Sequence, residues 1–255
     1  MDQSYRMENQ FRSQDVINFC RMLKSSPSIK LNSFFTDRLL PENPNHDTSV
    51  DLEAKGTIDS ILEQYPRYDN ILALNMANAT RVGGGWLTGA EAQEEYLFRR
   101  TDLHKTLRDK LYPMMEDEVI YSPSVRVLFD DEYSVIDPEH TVAFVSVAAV
   151  RDPRITRDGE LTEYDWTEMY YKVRLIFHIA AMNKHDCLIL GALGCGAFHN
   201  PPNVIATIFA EMCSEYAGHF KKVVFAIKSV RGDVNCQIFQ QVFLETFRSD
   251  DEEKT

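Results

Sequence analysis

The chain is poor in positive charge. It has 27 Lys and Arg against 39 Asp and Glu, a formal net charge of −12, and its basic residues never gather into a block. Binding a phosphate backbone regardless of sequence depends on Lys and Arg neutralising phosphates. A role in coating DNA or RNA is therefore excluded, and no general nucleic-acid binding is expected. Acidity of this kind keeps a surface soluble and still allows one anionic small ligand in a locally arranged pocket. Paired cysteines are missing as well. Cys20, Cys187, Cys195, Cys213 and Cys236 are odd in number, far apart and without a C-x-x-C, which points to a reducing compartment. The opening MDQSYRMENQFRSQDV lacks the apolar stretch of a signal peptide. The longest apolar run, VAFVSVAAV at 142–150, falls far short of a membrane span. The histidines (His46, His104, His140, His178, His185, His199 and His219) show no metal-ligand spacing. The expectation is a soluble intracellular monomer, in the cytoplasm or the nucleus, with no membrane partner, no metal and no cofactor.

What is present suits a packed core. Of 255 residues, 44% are hydrophobic and 26% charged, compatible with one large α/β domain or two small ones. Short runs rich in β-branched and aromatic residues stand at 71–76, 141–150, 187–193 and 222–229. Continuous rather than alternating apolar character suits strands covered on both faces. Helical spacing links Trp166, Met169, Tyr170, Val173, Phe177, Ala180 and Ala181. It also links Val204, Ile205, Ile208, Phe209, Met212, Cys213 and Tyr216, and then Ile238, Phe239, Val242, Phe243 and Phe247. Strands alternating with helices predict an α/β layered domain. The first seventy residues read as helices at 15–23 and 52–65 joined by LLPENPNHD. The division expected is an N-terminal helical extension, 1–70, packed on a core at 71–248, followed by a disordered acidic tail at 249–255.

Two glycine-rich loops follow predicted strands. The second, LGALGCGAF at 190–198, precedes a helix whose start is marked by Asn200, Pro201 and Pro202. Strand, glycine loop and helix N-terminus is an arrangement that can cradle a diphosphate with bare backbone N–H groups. It is neither G-x-x-x-x-G-K-[ST] nor G-x-G-x-x-G, so a nucleotide-hydrolysing P-loop and a dinucleotide fingerprint are both unsupported. The first loop, Gly83, Gly84 and Gly85, follows ILALNMANA. At the ends of strands in one open sheet the two could converge on a single crevice.

Seven residues separate the triple glycine from Gln93, Glu94 and Glu95, at the start of a predicted helix. Acids there complement the helix dipole, which accounts for either glutamate alone but not for the glycines before them. With about 3.6 residues per turn, adjacent side chains diverge by roughly 100°, so the two carboxylates would do different work. Cys195 invites comparison with a thiolate nucleophile, but no base adjoins it in sequence, and a small packed thiol is the better reading.

The pattern GGG, seven residues, QEE resembles the signature of the poly(ADP-ribose) glycohydrolases of bacterial type. LNMANATRVGGG, LILGALGCGAFHNPP and FKKVVFAIKS resemble the same family in the same order, from about 71 to 247. The resemblance implies a three-layer α/β/α macrodomain-like fold with a mixed sheet. It assigns Glu95 as catalytic acid, Glu94 as the holder of a ribose hydroxyl, and Gln93 as a residue shaping the pocket. Asn78 would contact the distal ribose. The backbone of Gly83, Gly84 and Gly85 would close on the ligand, Gly194, Cys195, Gly196 and Ala197 would hold the diphosphate, and Phe198 would close over it. Trp86 departs from the pattern, standing where a smaller residue is expected at the entrance. Val150 and Arg151 replace a proline and a polar residue on the adenine side.

The implied activity is hydrolysis of ribose–ribose O-glycosidic bonds in poly(ADP-ribose) or an ADP-ribosylated protein, with ADP-ribose as product. Such cleavage proceeds through an oxocarbenium-like transition state and requires protonation of the leaving oxygen, a task for a carboxylic acid that then activates water. Two other readings stand beside it. One is a reader module that binds ADP-ribose without chemistry, against which the presence of both glutamates argues. The other is a hydrolase of mono-ADP-ribose on protein or nucleic acid.

Overall fold

The computed structural model describes residues 3–136, 140–228 and 234–252. In chain order the strands are β1 (Ile29–Asn32), β2 (Ser49–Glu53), β3 (Ile71–Met76), β4 (Glu118–Arg126), β5 (Thr141–Val147), β6 (Cys187–Leu190) and β7 (Lys222–Ala226). The helices are α1 (Gln3–Phe19), α2 (Thr57–Gln64), α3 (Gln93–Phe98), α4 (Leu103–Thr106), α5 (Glu163–Met182), α6 (Pro202–Glu215) and α7 (Asn235–Glu252). All seven strands form one sheet in the order β1-β4-β5-β3-β6-β7-β2. Five of them, β5, β3, β6, β7 and β2, run parallel, whereas β4 and β1 are antiparallel to their neighbours. This is the mixed sheet expected.

Strand β3 shows why the apolar runs are continuous. Its side chains alternate between faces, and both faces are covered. Leu72 and Leu74 join a core with residues of α5, α6 and α7. Ile71 and Ala73 join a second core with Ile58 and Ile61 of α2 and Leu97 and Phe98 of α3. Helical layers thus lie on either side of the sheet.

Three expectations change. The front of the chain is not a purely helical extension. It supplies β1 and β2, the two edge strands, so residues before 70 close both margins of the sheet. Its first helix covers Gln3–Phe19 rather than 15–23, and the segment 52–65 divides into the end of β2 and α2. Strand β4 was not foreseen. Pro123 interrupts its pattern where the register against β5 shifts between Ser122 and Val125, a setting that tolerates a missing N–H. Finally, α7 continues to Glu252, well into the stretch expected to be a disordered tail. Having nucleated on the buried Phe239 and Phe243, a helix extends at little further cost per residue. The expected strand at 222–229 ends at Ala226, and Ser229 lies outside the described residues.

Candidate active site

Because β3, β5 and β6 are parallel neighbours, the chain leaves all three at the same end of the sheet. Both glycine loops therefore emerge there, after Met76 and after Leu190.

The first loop is built around the paired glutamates, both buried on α3. Glu95 is held at two points. Its Oε2 accepts the Ala92 N–H at 2.9 Å, so it caps its own helix in the manner of an N3 glutamate. Its Oε1 accepts the Gly85 N–H, also at 2.9 Å. Between these anchors lies Gly84, with φ +55°, where a Cβ would overlap Glu95 Oε1 and stand 3.3 Å from Glu94 Oε2. A Cβ on Gly83 would come within 2.5 Å of the Phe98 ring. Side chains are absent here first because the carboxylates and the ring beneath occupy the space. The expected close approach of backbone to a ligand is joined by a close approach of backbone to the acids themselves.

Glu94 points the other way. Its Oε2 accepts the Asn78 N–H at 2.8 Å, and Oε1 lies 3.4 Å from Asn75 Nδ2. Burial pushes its pKa up to about 8, opposed by the bonds from Asn78 and Asn75 and reinforced by the neighbouring charge of Glu95. Near neutral pH Glu94 is thus a carboxylic acid, since desolvation disfavours the charged form. Asn75 was not singled out from sequence. It pairs in register with Ser146 of β5, and its amide donates to the Ser146 hydroxyl at 3.0 Å. A polar residue inside ILALNM was the available signal.

Gln93, expected to shape the pocket, spends its amide on the end of β3. Its Oε1 accepts the Met76 N–H at 2.8 Å, and its Nε2 donates to the Leu74 carbonyl at 2.7 Å. It clips α3 to the end of β3 and so positions the two acids that follow. Asn78 uses its side-chain oxygen on the turn, accepting the N–H groups of Thr80 at 2.9 Å and Arg81 at 3.0 Å. Trp86 is buried against Phe98 and His104, with ring centroids 5.5 and 5.4 Å away. It also lines the cleft beside the first loop.

Arg99, like Asn75, was not singled out from sequence. This fully buried guanidinium reaches the Trp86 carbonyl at 3.1 Å, the Ala90 carbonyl, the Asn9 carbonyl at 3.2 Å and the Ser13 hydroxyl at 3.2 Å. Ser13 itself donates to the Trp86 carbonyl at 2.7 Å. Helix α1 and Arg99 together fasten the stretch between the glycines and the glutamates. Nothing in FRR distinguishes a buried arginine from a surface one.

The second loop is more open. Gly194, at φ +76°, lies under Asn200, and a Cβ there would meet Asn200 Nδ2 at 2.5 Å. The buried Asn200 donates to the carbonyls of Val150 at 2.7 Å and Gly194 at 3.2 Å, tying this loop to the end of β5. Gly196 has nothing within 4 Å of a built Cβ. Gly196 and Ala197 are exposed. Cys195 is half-buried, with its thiol 3.7 Å from the Leu193 carbonyl, and is packed against the core. Phe198 is half-buried beneath the Arg151 guanidinium, 5.5 Å from the ring centroid, so the replacement of a polar residue by Arg151 adds a cation over this ring. A cleft of about 440 Å³ runs along the first loop, past Arg81, Gly84, Gly85 and Tyr112. No residue of 194–198 lines it. Among the described residues, no group of three or more His, Cys, Asp or Glu is arranged to hold a metal ion.

A mixed sheet between helical layers, with two buried acids beneath a glycine loop at the ends of its parallel strands, defines an α/β protein with a candidate site at the strand ends. Residues 10–130 match the family described as microbial-type PARG, catalytic domain. The match includes the triple glycine and both glutamates and begins some sixty residues before the stretch in which the resemblance was first read. In structure the chain is similar to poly(ADP-ribose) glycohydrolase from Thermomonospora curvata, with a TM-score of 0.83 and 23% identity over 93% of this chain and 100% of that one. The same enzyme bound to the inhibitor ADP-HPD gives a TM-score of 0.80 and 22% identity over 92% and 99% of the two chains. Poly(ADP-ribose) glycohydrolase from Deinococcus radiodurans in complex with ADP-ribose gives 0.74 and 24% over 84% and 93%. No curated protein matches the chain. The family match and the shared fold bear out the resemblance, including its three-layer, macrodomain-like architecture.

Proposed function

We propose that the protein is a poly(ADP-ribose) glycohydrolase, hydrolysing ribose–ribose O-glycosidic bonds to release ADP-ribose. The observation that carries this reading is the buried pair Glu94 and Glu95, held by the backbone N–H groups of Asn78 and Gly85 respectively. A module that only bound ADP-ribose would gain nothing from burying two adjacent acids. In the proposed reaction the bond between the anomeric carbon and the leaving oxygen breaks. The leaving oxygen takes a proton from a carboxylic acid, and water adds to the anomeric carbon and returns a proton to the resulting carboxylate. Glu95 is assigned this acid–base role and Glu94 the grip on a ribose hydroxyl, with Asn78 beside it. Gly194, Cys195, Gly196 and Ala197 would hold the diphosphate by their backbone and Phe198 would cover it, so that binding becomes positioning. None of the five cysteines, all among the described residues, is in a disulfide, which suits action inside a cell.

One observation favours a second division of labour. Burial keeps a proton on Glu94 near neutral pH, so Glu94 could be the donor and Glu95 the base. Both assignments are tested by scoring free ADP-ribose from poly(ADP-ribose), and separately from mono-ADP-ribosylated protein, for the unmodified chain, Glu95→Gln and Glu94→Gln. Loss of acid–base catalysis costs on the order of 10² to 10⁴ in rate. Glu95→Gln should show this loss while ADP-ribose affinity changes little. Whichever way its amide turns, an NH₂ faces the N–H of Gly85 or Ala92, so its melting temperature should also fall, and turnover must be read below that melt. Full activity in Glu95→Gln would move the acid to Glu94. Binding of ADP-ribose with no cleavage by the unmodified chain would make the protein a reader.

A further inference from the structure

The stretch 190–202, on which the diphosphate is placed, contains no Lys or Arg. Its neighbour supplies one. Arg151 lies four residues beyond the end of β5, and because β5 and β6 both run parallel to β3, the two loops leave the sheet at the same end. The buried Asn200 bonds one loop to the other through the Val150 carbonyl at 2.7 Å. Beyond it the contact continues. The Asp152 N–H donates to the Phe198 carbonyl at 3.0 Å, and His199 Nδ1 donates to the Asp152 carboxylate at 2.6 Å. Asp152 and His199 both take left-handed backbone, with φ +50° and +59°, a conformation uncommon outside glycine. Strained residues of this kind collect at ligand clamps, and here two of them clasp each other across the two loops.

What the clasp presents is Arg151. Its Nε lies 3.6 Å from Asp152 Oδ2, its guanidinium sits over the Phe198 ring, and its side chain is 67% exposed. It has no other ion-pair partner among the described residues. The hydrogen bond from His199, with Arg151 adding to it, holds the Asp152 carboxyl below its usual range. The carboxylate is thus engaged from two sides. An arginine fixed at Nε keeps its two NH₂ groups for a further acceptor, and a guanidinium combines charge with the planar donors that suit phosphate. In a chain of net charge −12, an anionic ligand gains from a cation placed this close. We propose that Arg151 is a further substrate-binding residue, whose guanidinium, seated on Phe198 and held by Asp152, adds an ionic contact to the diphosphate. This rests on the glycohydrolase reading, which puts the diphosphate on 194–197, and deepens it at a position where the chain departs from the family pattern. A contact to the diphosphate is the same before and in the transition state, so it acts on binding rather than on the chemical step.

The test measures ADP-ribose affinity by calorimetry, and KM and kcat on poly(ADP-ribose), for the full chain and for Arg151→Gln, Arg151→Lys and Arg151→Glu at low and high salt. Arg151→Gln should weaken ADP-ribose binding and raise KM, each by roughly five- to ten-fold at low salt, with a smaller deficit as salt screens the charge. Its kcat and melting temperature should hold. Arg151→Lys, which keeps the charge without the planar fork, should recover part of the loss, and Arg151→Glu should deepen it. An arginine that only propped Phe198 would leave a deficit that ignores salt and is the same for Gln and Glu, and that result overturns the proposal. So does an unchanged affinity in Arg151→Gln. Neither result touches the glycohydrolase reading, which fails instead if the unmodified chain cleaves no polymer, and in that case the affinities still decide the role of Arg151. If the unmodified chain does not bind ADP-ribose at all, both fall together.

Discussion

Replacing Gly84 with alanine adds one methyl group at the place where the loop passes over the acids. Two costs follow. Alanine in the left-handed conformation that Gly84 adopts at φ +55° is disfavoured by about 1–2 kcal/mol. The Cβ also occupies the position of Glu95 Oε1, so the carboxylate must leave the Gly85 N–H it accepts at 2.9 Å. A hydrogen bond to a charged group contributes about 1.5–3 kcal/mol. Together these amount to about 2.5–5 kcal/mol if neither is relieved, a large part of the roughly 5–15 kcal/mol that holds a typical protein folded. At about 2–4 °C per kcal/mol for a chain of this size, thermal unfolding should shift down by on the order of 10 °C. Activity should fall further than stability alone implies, since a displacement of about 1 Å at a reacting group can cost 10²-fold. Differential scanning calorimetry and single-turnover cleavage of poly(ADP-ribose), run below the lowered melt, measure both. A Gly84→Ala protein that melts within a degree or two of the unmodified chain and turns over at its rate would refute the view that this glycine makes room for Glu95.

Gly196→Leu should behave in the opposite way: nothing lies within 4 Å of its Cβ, so the melt should hold while calorimetry shows weakened ADP-ribose binding. Arg99→Lys should lower both melting temperature and kcat, because one ammonium cannot reach the carbonyls of Trp86, Ala90 and Asn9 together, and each buried acceptor left bare costs about 1–3 kcal/mol. Glu94 makes stability pH-dependent. Its folded pKa of about 8 lies above the ordinary 4.5, so between those values the folded form carries a proton that the unfolded form lacks, and stability is lost as pH rises through the window. In Glu94→Gln this part of the fall should vanish, so the variant should gain on the unmodified chain in melts taken from pH 5 to 9.

The parallel strands were legible because burial on both faces leaves an uninterrupted apolar run, as in β3, and the long helices α5 and α6 because their buried residues recur at helical spacing. Edge strands carry no such mark. IKLN and SVDLE are short and only partly buried, and what makes them strands is the hydrogen bonding offered by β4 and β7. The site was half legible. Spacing along the chain identified the glycines and the glutamates as one unit and placed Glu94 and Glu95 at a helix start. It could not show that Gly84 lies over Glu95, or that Gln93 turns inward to clip β3, since both depend on where α3 docks. Asn75 and Ser146 form a pair only once the β3–β5 register is known.

The N-terminal helix shows most sharply what a pattern search cannot see. The residues α1 buries are Asn9, Ser13 and Val16, so no apolar stripe marks the face it packs. Beside Val16 and Ile17, it docks by polar contacts, through Ser13 and the Asn9 carbonyl to Arg99 and Trp86 and through the Asn9 amide to Glu91 at 3.2 Å. Gly89 lies so close beneath the Arg6 carbonyl that a Cβ would overlap it. These contacts answer a conflict built into the site. A loop that must pass over two carboxylates has to be glycine, yet glycine has the most conformational freedom to lose on folding. A loop that positions a buried carboxylate must hold its geometry. Fixing its carbonyls from outside, at Trp86 and Ala90, restores that geometry without putting a side chain in the way.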